Sequence, residues 1–320
     1  MPKFQNALWA LSLVLVFMGA GMACAQDFPQ KPIRLVTTGT GGASDLASRI
    51  IAQEISAPLG QPVVVENRAA NILPEIVANA PPDGYTLMVT GNSVWTAPLL
   101  RKTGYDPVKD FVPISLVITQ PNLLVVHPSM PVTSVRQLVA LAKARPGELN
   151  YGATGIGGTS HLAAELFKTM AKVNIVGVFY TSVSSGLTAL LSGEVQLNFA
   201  NVNTAMPLVK SGKLRALALT SAEPTQLVPG VPTVAATGVP GYETASMTVM
   251  FAPAKTADAI IRRINQEVVR ALSKPDVKGK LFNLGSDVVA SSPERLAAVM
   301  KTDIARIGKV IADAKIKIER

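Results

Sequence analysis

Residues 35–50 read LVTTGTGGASDLASRI. An apolar β-branched run stops at a cluster of threonine and glycine. A Ser-Asp pair then opens an amphipathic segment. The order is strand, glycine-rich turn, helix N-terminus. Such a turn aims backbone N–H groups and the positive end of a helix at one point, which cradles an anion. Working outward, PIRLVTT is the strand. SDLASRIIAQEISAPLG places Leu46, Ile50, Ile51 and Ile55 on one helical face and ends at Gly60.

The rhythm continues downstream. PVVVEN is a second strand, expected to be buried on both faces because its apolar run is continuous. A short helix around Pro74 to Asn79 follows, and PPDGYTLMVTGN supplies a turn and a third strand. This βαβαβ order predicts a largely parallel sheet. FVPISLVITQPNLLVVHP breaks the pattern with two strand-like runs and no helix between them. A second unit begins at SVRQLVALAKARPG, where Ser134 and Gln137 have capping-box spacing. LNYGATGIGGTSHLAAELFKTM then repeats the opening theme of strand, glycine-rich turn and helix. IVGVFYTSVSSGLTALLSGEVQLNFAN reads as strand, helix, strand, and TAMPLVKSGKLRALALTS as helix and strand. ASMTVMFAP is another apolar strand. From Thr256 the chain is mostly helical, with a Thr cap on TADAIIRRINQEVVRALS and a Ser cap plus first-turn Pro on SPERLAAVMK.

Two α/β units therefore each begin with a glycine-rich anion loop. Strands near Leu123 to Val126 and Thr248 to Phe251 flank the second unit. The economical architecture is two lobes joined by two crossing strands, with a ligand in the cleft and both loops facing it. Lobe one is expected to comprise 26–122 and 252–320, so that the C-terminal helices return to it; lobe two is 123–251. Such lobes close by hinge motion at the crossovers.

The N-terminus, MPKFQNALWALSLVLVFMGAGMACAQ, has a positive residue at Lys3 and an apolar run from Ala7 to Met18. That run is short for a membrane span, and Ala23-Cys24-Ala25 fits a small-x-small cleavage site. Residues 1–25 read as a secretory signal peptide cut after Ala25. A membrane anchor and a lipid on Cys24 are the competing readings. Cys24 is the only cysteine, so the mature chain would hold no disulfide and rely on its core. The formal charge is +9, or +8 once Lys3 is removed. The basic residues are scattered and aromatics are sparse, which speaks against nucleic acid.

Several sharper readings fall on the same residues. GTGGASD lacks the Gly-Lys-Ser/Thr ending of a P-loop and the dinucleotide fingerprint spacing. Asp45 falls in a first helical turn, where the dipole favours a carboxylate; contact with a ligand amine is the other option. Ser160 and His161 are adjacent on a helix and point about 100° apart, so they are no triad pair. His161 reads as a helix-start residue or structural donor, and His127 as structural. Two histidines without a mature cysteine offer no metal cluster. Tyr180 and Trp95 each line the cleft or pack a lobe.

An ordered set of motifs then narrows the reading. PIRLV, GGASDLASRI, LGQPVVVENR, APPDGYTLMV, YDPVKDFVPISLV, LVVHPSMPV, LNYGATGIGGTSHLAAELF and GKLRALALTSAEPTQLVPGVPTVAATGVPGYE run along nearly the whole mature chain. In this order they resemble the solute-binding receptors of tripartite tricarboxylate transporters, the Bug receptors. The resemblance implies a periplasmic receptor of the type II binding-protein fold that is not an enzyme and needs no cofactor or metal. It implies a small carboxylate ligand, membrane transporter subunits as partners, no nucleic acid, and a monomer. It places the ligand on Thr38, Gly39, Thr40, Gly41, Gly42, Ala43 and Ser44 in the first loop, beside which Asp45 is a further candidate. Gly155, Gly158, Thr159 and Ser160 form the second. Asn92 and Ser93 in GNS, Tyr180 and Thr181 in FYTS, and Asn201 in FAN supply further cleft segments. A sensor that binds the same ligand and docks on a signalling receptor, or an enzyme on the same fold, are the alternatives.

Four departures from the family pattern fall on these loops. TTGTGGASD stands where PFAPGGGTD is usual, and AANILPE where a glycine-rich run is usual. FYTS replaces PYKG, which puts Thr181 in place of a lysine, and Ala200 replaces an acid. These changes predict one strongly held carboxylate and a neutral or weakly polar remainder.

Overall fold

The computed structural model describes residues 28–154, 158–180 and 183–316. The expected leader and its cut site, and the expected site residues Gly155 and Thr181, lie outside the described residues.

The strands are β1 (Ile33–Thr37), β2 (Val63–Asn67), β3 (Thr86–Gly91), β4 (Phe111–Val126), β5 (Asn150–Thr154), β6 (Val176–Tyr180), β7 (Leu197–Asn201), β8 (Arg215–Leu219), β9 (Ala245–Pro253) and β10 (Asp287–Val288). The helices are α1 (Ala43–Leu59), α2 (Leu73–Ala78), α3 (Ser93–Leu100), α4 (Val135–Ala144), α5 (Thr159–Ala171), α6 (Val183–Leu191), α7 (Val202–Lys210), α8 (Val234–Thr237), α9 (Asp258–Ser273), α10 (Pro275–Asn283) and α11 (Pro293–Asp313). Hydrogen-bonded neighbours run β2-β1-β3-β9-β4-β7-β5-β6, with β8 and β10 also on β4. This is the α/β architecture expected of a two-lobed binding protein.

The segment that broke the rhythm organises the fold. Two strand runs were expected there; the structure makes them one strand of 16 residues, β4. Its residues from Phe111 to Pro121 pair with β9, and those from Asn122 to Val126 pair with β7. Proline gives no ladder N–H, so in sheets it sits at irregularities and edges. Pro113 lies at a register shift, and Pro121 is the last residue paired with β9. The crossing is uneven, since among the described residues β9 pairs only with β3 and β4. The other link is made at Thr220, whose N–H donates to Asn122 O and whose C=O accepts from Thr244 N–H, both at 2.9 Å.

Strand direction fixes where the loops point. β1 and β3 run parallel, β9 opposes β3, and β4 opposes β9, so β4 runs the way β1 does. β7 opposes β4, and β5 runs with β7. Because β4 passes from the first sheet into the second, the C-terminal ends of β1 and β3 face those of β5 and β7. Open α/β sheets bind ligands beyond such strand ends.

Each sheet buries both faces. Leu35, Ile51, Val89 and Val268 fill one side of the first sheet, and Val36, Trp95 and Phe251 the other. In the second, Leu124, Tyr151, Phe167 and Phe199 oppose a cluster around Leu123, Leu190 and Leu219. Helix α1 ends as read, at Gly60 with φ 71°. Its fully buried apolar side chains are Ala47, Ile51, Ala52, Ile55 and Leu59, while Leu46 and Ile50 are half-buried. The double burial expected of β2 is corrected, because β2 is an edge strand and Val64 is 53% exposed. The Thr cap expected on α9 is also corrected. Ala257 holds the cap position, and the buried Thr256 hydroxyl donates back to Pro253 O at 2.7 Å.

Helix α11 touches both cores. Leu296 and Met300 pack in the first lobe, whereas Val310 joins the second core and Ile307 and Ile311 pack on Leu162 of α5. These spacings of three and four residues lie on one helical stripe.

Candidate functional site

The first glycine loop leaves β1 at Thr38. Gly39, Thr40, Gly41 and Gly42 are exposed, and Thr38 is half-buried. Gly41 has φ +82°, a conformation that favours glycine, and Gly42 is the N-cap of α1 without a side-chain cap. The N–H groups of the first turn therefore have no intrahelical partner.

Asp45 turns inward beneath this loop. It is 2% exposed and accepts from Gly41 N–H at 2.9 Å and from Asn67 Nδ2 at 2.8 Å. Arg49 reaches both carboxylate oxygens, Nη2 at 3.0 Å and Nε at 3.3 Å. Burial pushes its pKa up, but the bonds from Asn67, Gly41 and Arg49 outweigh that and hold it below the ordinary carboxylate range. Asn67 also donates to Thr38 O at 2.6 Å. The carboxylate thus fixes both ends of the loop. Ser44 is buried beside it.

At the end of β3, Asn92 N–H donates to Met247 O at 3.0 Å, and its side-chain amide reaches Ala245 O at 3.5 Å. Ser93 is exposed at the start of α3. Trp95 belongs to the core, with no exposure, and donates to Asp303 at 2.8 Å.

In the second lobe, Gly158 is the N-cap of α5, again without a side-chain cap. Thr159 and Ser160 of its first turn line one small pocket with Asn201 of β7, a cavity of about 30 Å³. Ala153, Gly186, Asn198, Phe199 and Ala200 complete the described lining, in which no side chain is charged. Helix dipole and neutral donors supply the electrostatics there.

Tyr180 is bound to its own lobe. Its hydroxyl donates to Glu194 at 2.8 Å. Its ring lies against Gly152 and Gly186, where a Cβ would sit 3.5 Å from a ring carbon. Burial first, then Glu194, raises its pKa to about 12. His161 is buried beside Tyr151 and Phe179, and burial lowers its pKa. His127 Nδ1 is 2.6 Å from Ser129 Oγ, at the end of β4.

The structure thus brings Thr159, Ser160 and Asn201 together, and places Thr38 to Ser44, Asn92 and Ser93 on the facing strand ends. Two amides went unread. Asn198 lines the pocket, and Asn122 pairs in register with Asn201. Asparagine is depleted in strands, so an Asn at the end of a buried strand run was the available signal.

Comparison with known proteins agrees with this geometry. A profile of the family described as "Tripartite tricarboxylate transporter family receptor" matches residues 47–316. Protein BugT of Bordetella pertussis is 31% identical over 328 residues, spanning 98% of this chain and 100% of BugT. The structure of R. palustris Rpa4515 with adipate superposes with a TM-score of 0.73 at 36% identity, covering 91% of this chain and 99% of that one. MatC (Rpa3494) from Rhodopseudomonas palustris with bound malate gives a TM-score of 0.68 at 31% identity, covering 89% and 100%.

Proposed function

The chain belongs to the tripartite tricarboxylate transporter receptor family, and from that premise we propose that it captures a small carboxylate between its lobes for uptake across the membrane. The observation that carries this reading is the facing of two glycine-capped helix N-termini, α1 and α5, across the strand junction. Each offers neutral N–H donors without a side-chain cap. Neutral donors hold an anion without bringing a counter-charge that must itself be desolvated. Relatives that hold adipate and malate support the same ligand class.

Mechanically, the carboxylate seats on the first-turn N–H groups of one lobe, and closure brings up the other. Thr159, Ser160 and Asn201 then contact the remainder of the ligand. The closed form is presented to the membrane subunits of a transporter, with capture in the periplasm. No bond in the ligand is made or broken. Ser160 and His161 are consecutive on α5 and point about 100° apart, which argues against a nucleophile–base pair.

A thermal-shift screen against a library of carboxylates tests the proposal. A ligand at about 100 times its Kd stabilises the folded state by about 2.7 kcal/mol. At least one carboxylate is expected to raise the melting temperature. A flat response across mono-, di- and tricarboxylates defeats the reading.

A further inference from the structure

Strand β7 carries one amide into an apolar layer. Asn198 lies opposite Val125 of β4, and Ala200, two residues on and on the same face, lies opposite Leu123. Leu123, Val125 and Ala200 form one buried cluster with Leu187 and Leu190 of α6. Asn198 is 6% exposed beside it. A polar group so deeply placed normally has a partner, because leaving it unpaired costs stability. Among the described residues the Asn198 amide has no hydrogen bond. It lines the pocket instead, together with Thr159, Ser160 and Asn201. Asn122 of β4 has an amide that is both unpaired and sealed from solvent; the Asn198 amide is unpaired but open to the pocket.

Small residues make room for it. Gly152 of β5 pairs with Asn198 in register, and a Cβ there would stand 3.0 Å from the amide nitrogen. A Cβ on Gly186 of α6 would stand 3.5 Å from the same atom. Ala153 and Ala200 line the pocket beside these glycines. Ala200 is the position where the family resemblance leads one to expect an acid, so a methyl group stands there and no charge does. The cavity measures about 30 Å³. A water needs roughly 10–15 Å³ of such space, so the cavity takes one small polar group.

We propose that Asn198 is a specificity-determining residue of this pocket, and that its amide takes a terminal hydroxyl on the end of the ligand remote from the carboxylate held by the first loop. The inference rests on the receptor reading above. An amide carries a donor and an acceptor, and so does a hydroxyl. A carboxylate only accepts, which leaves the amide oxygen unmatched, and an alkyl end matches neither atom. The described lining is uncharged, so a second carboxylate would also enter without a counter-charge. The ligand class is thus a carboxylate with a hydroxyl at its far end.

The test compares wild type with Asn198→Leu, using Asn198→Ala as a second variant should leucine not fit between Gly152 and Gly186. Calorimetric titrations use three sets that differ only at the far end: propionate, 3-hydroxypropionate and malonate; butyrate, 4-hydroxybutyrate and succinate; hexanoate, 6-hydroxyhexanoate and adipate. Chain length is varied so that one set spans the distance from the first loop to the pocket. Wild type is expected to bind the hydroxylated member of at least one set about tenfold tighter, or more, than either companion. The variant is expected to keep its affinity for the alkyl member and to lose the preference. A preference that survives in the variant, that is absent from wild type, or that goes to the diacid overturns the inference and leaves the receptor reading standing. Failure of wild type to bind any member of the three sets overturns the inference, whereas the receptor reading falls only with the wider carboxylate library.

Discussion

The indole N–H of Trp95 donates to the carboxylate of Asp303 at 2.8 Å, with both side chains withdrawn from water. Arg306, on the next turn of α11, reaches the same carboxylate at 2.5 Å and Glu243 at 3.5 Å. Glu243 follows Tyr242, whose hydroxyl donates to Ala163 O on α5 at 2.9 Å. One run of polar contacts therefore links α3, which starts beside the Asn92 loop, to α5, which carries Thr159 and Ser160.

Asp303→Ala is expected to be among the most damaging substitutions outside the site. Asp303 is 3% exposed, and Arg306 Nε has no partner among the described residues. Breaking a buried pair by deleting one member costs about 3–5 kcal/mol. Trp95→Phe keeps most of the ring and loses one hydrogen bond, for about 1–3 kcal/mol. Urea unfolding with an unchanged slope measures both. A loss for Asp303→Ala below about 1 kcal/mol would show that the contact is incidental.

Acid should loosen the first loop through Asp45. Its folded pKa lies below the ordinary value, so folding favours the ionised form. The associated stability is fully present above the unfolded pKa of about 4 and is lost as pH falls through the folded value. Asp45→Asn removes that contribution. The stability gap between wild type and Asp45→Asn should therefore be widest near neutral pH and should close in acid. A gap that stays constant with pH rules the carboxylate out as the loop's anchor.

Gly41 and Gly42 should respond differently to substitution. A Cβ on Gly41 meets nothing within 4 Å, but its φ of +82° strains any other residue by about 1–2 kcal/mol. Gly42 has φ −79°, and its nearest neighbour would be Gly39 O at 3.8 Å. Gly42→Val should fold with nearly native stability yet cover the N–H groups of the turn. Its melting temperature and its affinity for the best carboxylate of the screen, measured together, separate the two effects. Native affinity in folded Gly42→Val removes the loop from the site.

How far the sequence could be read depended on whether a signal was local. The opening strand, turn and helix, the Gly60 stop and the Ser134 cap are set by neighbouring residues, and all were legible. Ser134 Oγ accepts Gln137 N–H at 3.3 Å, although Gln137 reaches back to Thr133 N–H at 2.7 Å rather than to Ser134. Partners distant in the chain were not legible. The amphipathic pattern of α11 shows a buried stripe but not that its two ends serve two cores. The edge position of β2 depends on strand order, so its apolar run misled. Asp45 and Tyr180 are chemically suited to a ligand, and only the fold shows that Asn67, Gly41 and Arg49 hold the first and Glu194 the second.

The final prediction concerns ligand charge. Thr181 stands where the family resemblance leads one to expect a lysine, and the described side chains lining the second-lobe pocket are all uncharged. The described cations nearest the first loop are committed elsewhere. Arg49 pairs with Asp45, and Arg34 and Arg68 share Glu66. Lys210 lines a separate groove between α7 and α10. A second carboxylate seated in the cleft would therefore lack a direct cationic partner, and burying an unpaired charge costs several kcal/mol. A monocarboxylate is expected to bind at least as tightly as its dicarboxylate analogue of equal chain length. Titration of butyrate against succinate at fixed ionic strength decides this. Succinate binding tenfold tighter, about 1.4 kcal/mol, would mean that a basic side chain reaches the cleft on closure. Lys210→Ala and Arg68→Ala would then identify it, as the variant in which the dicarboxylate loses its advantage.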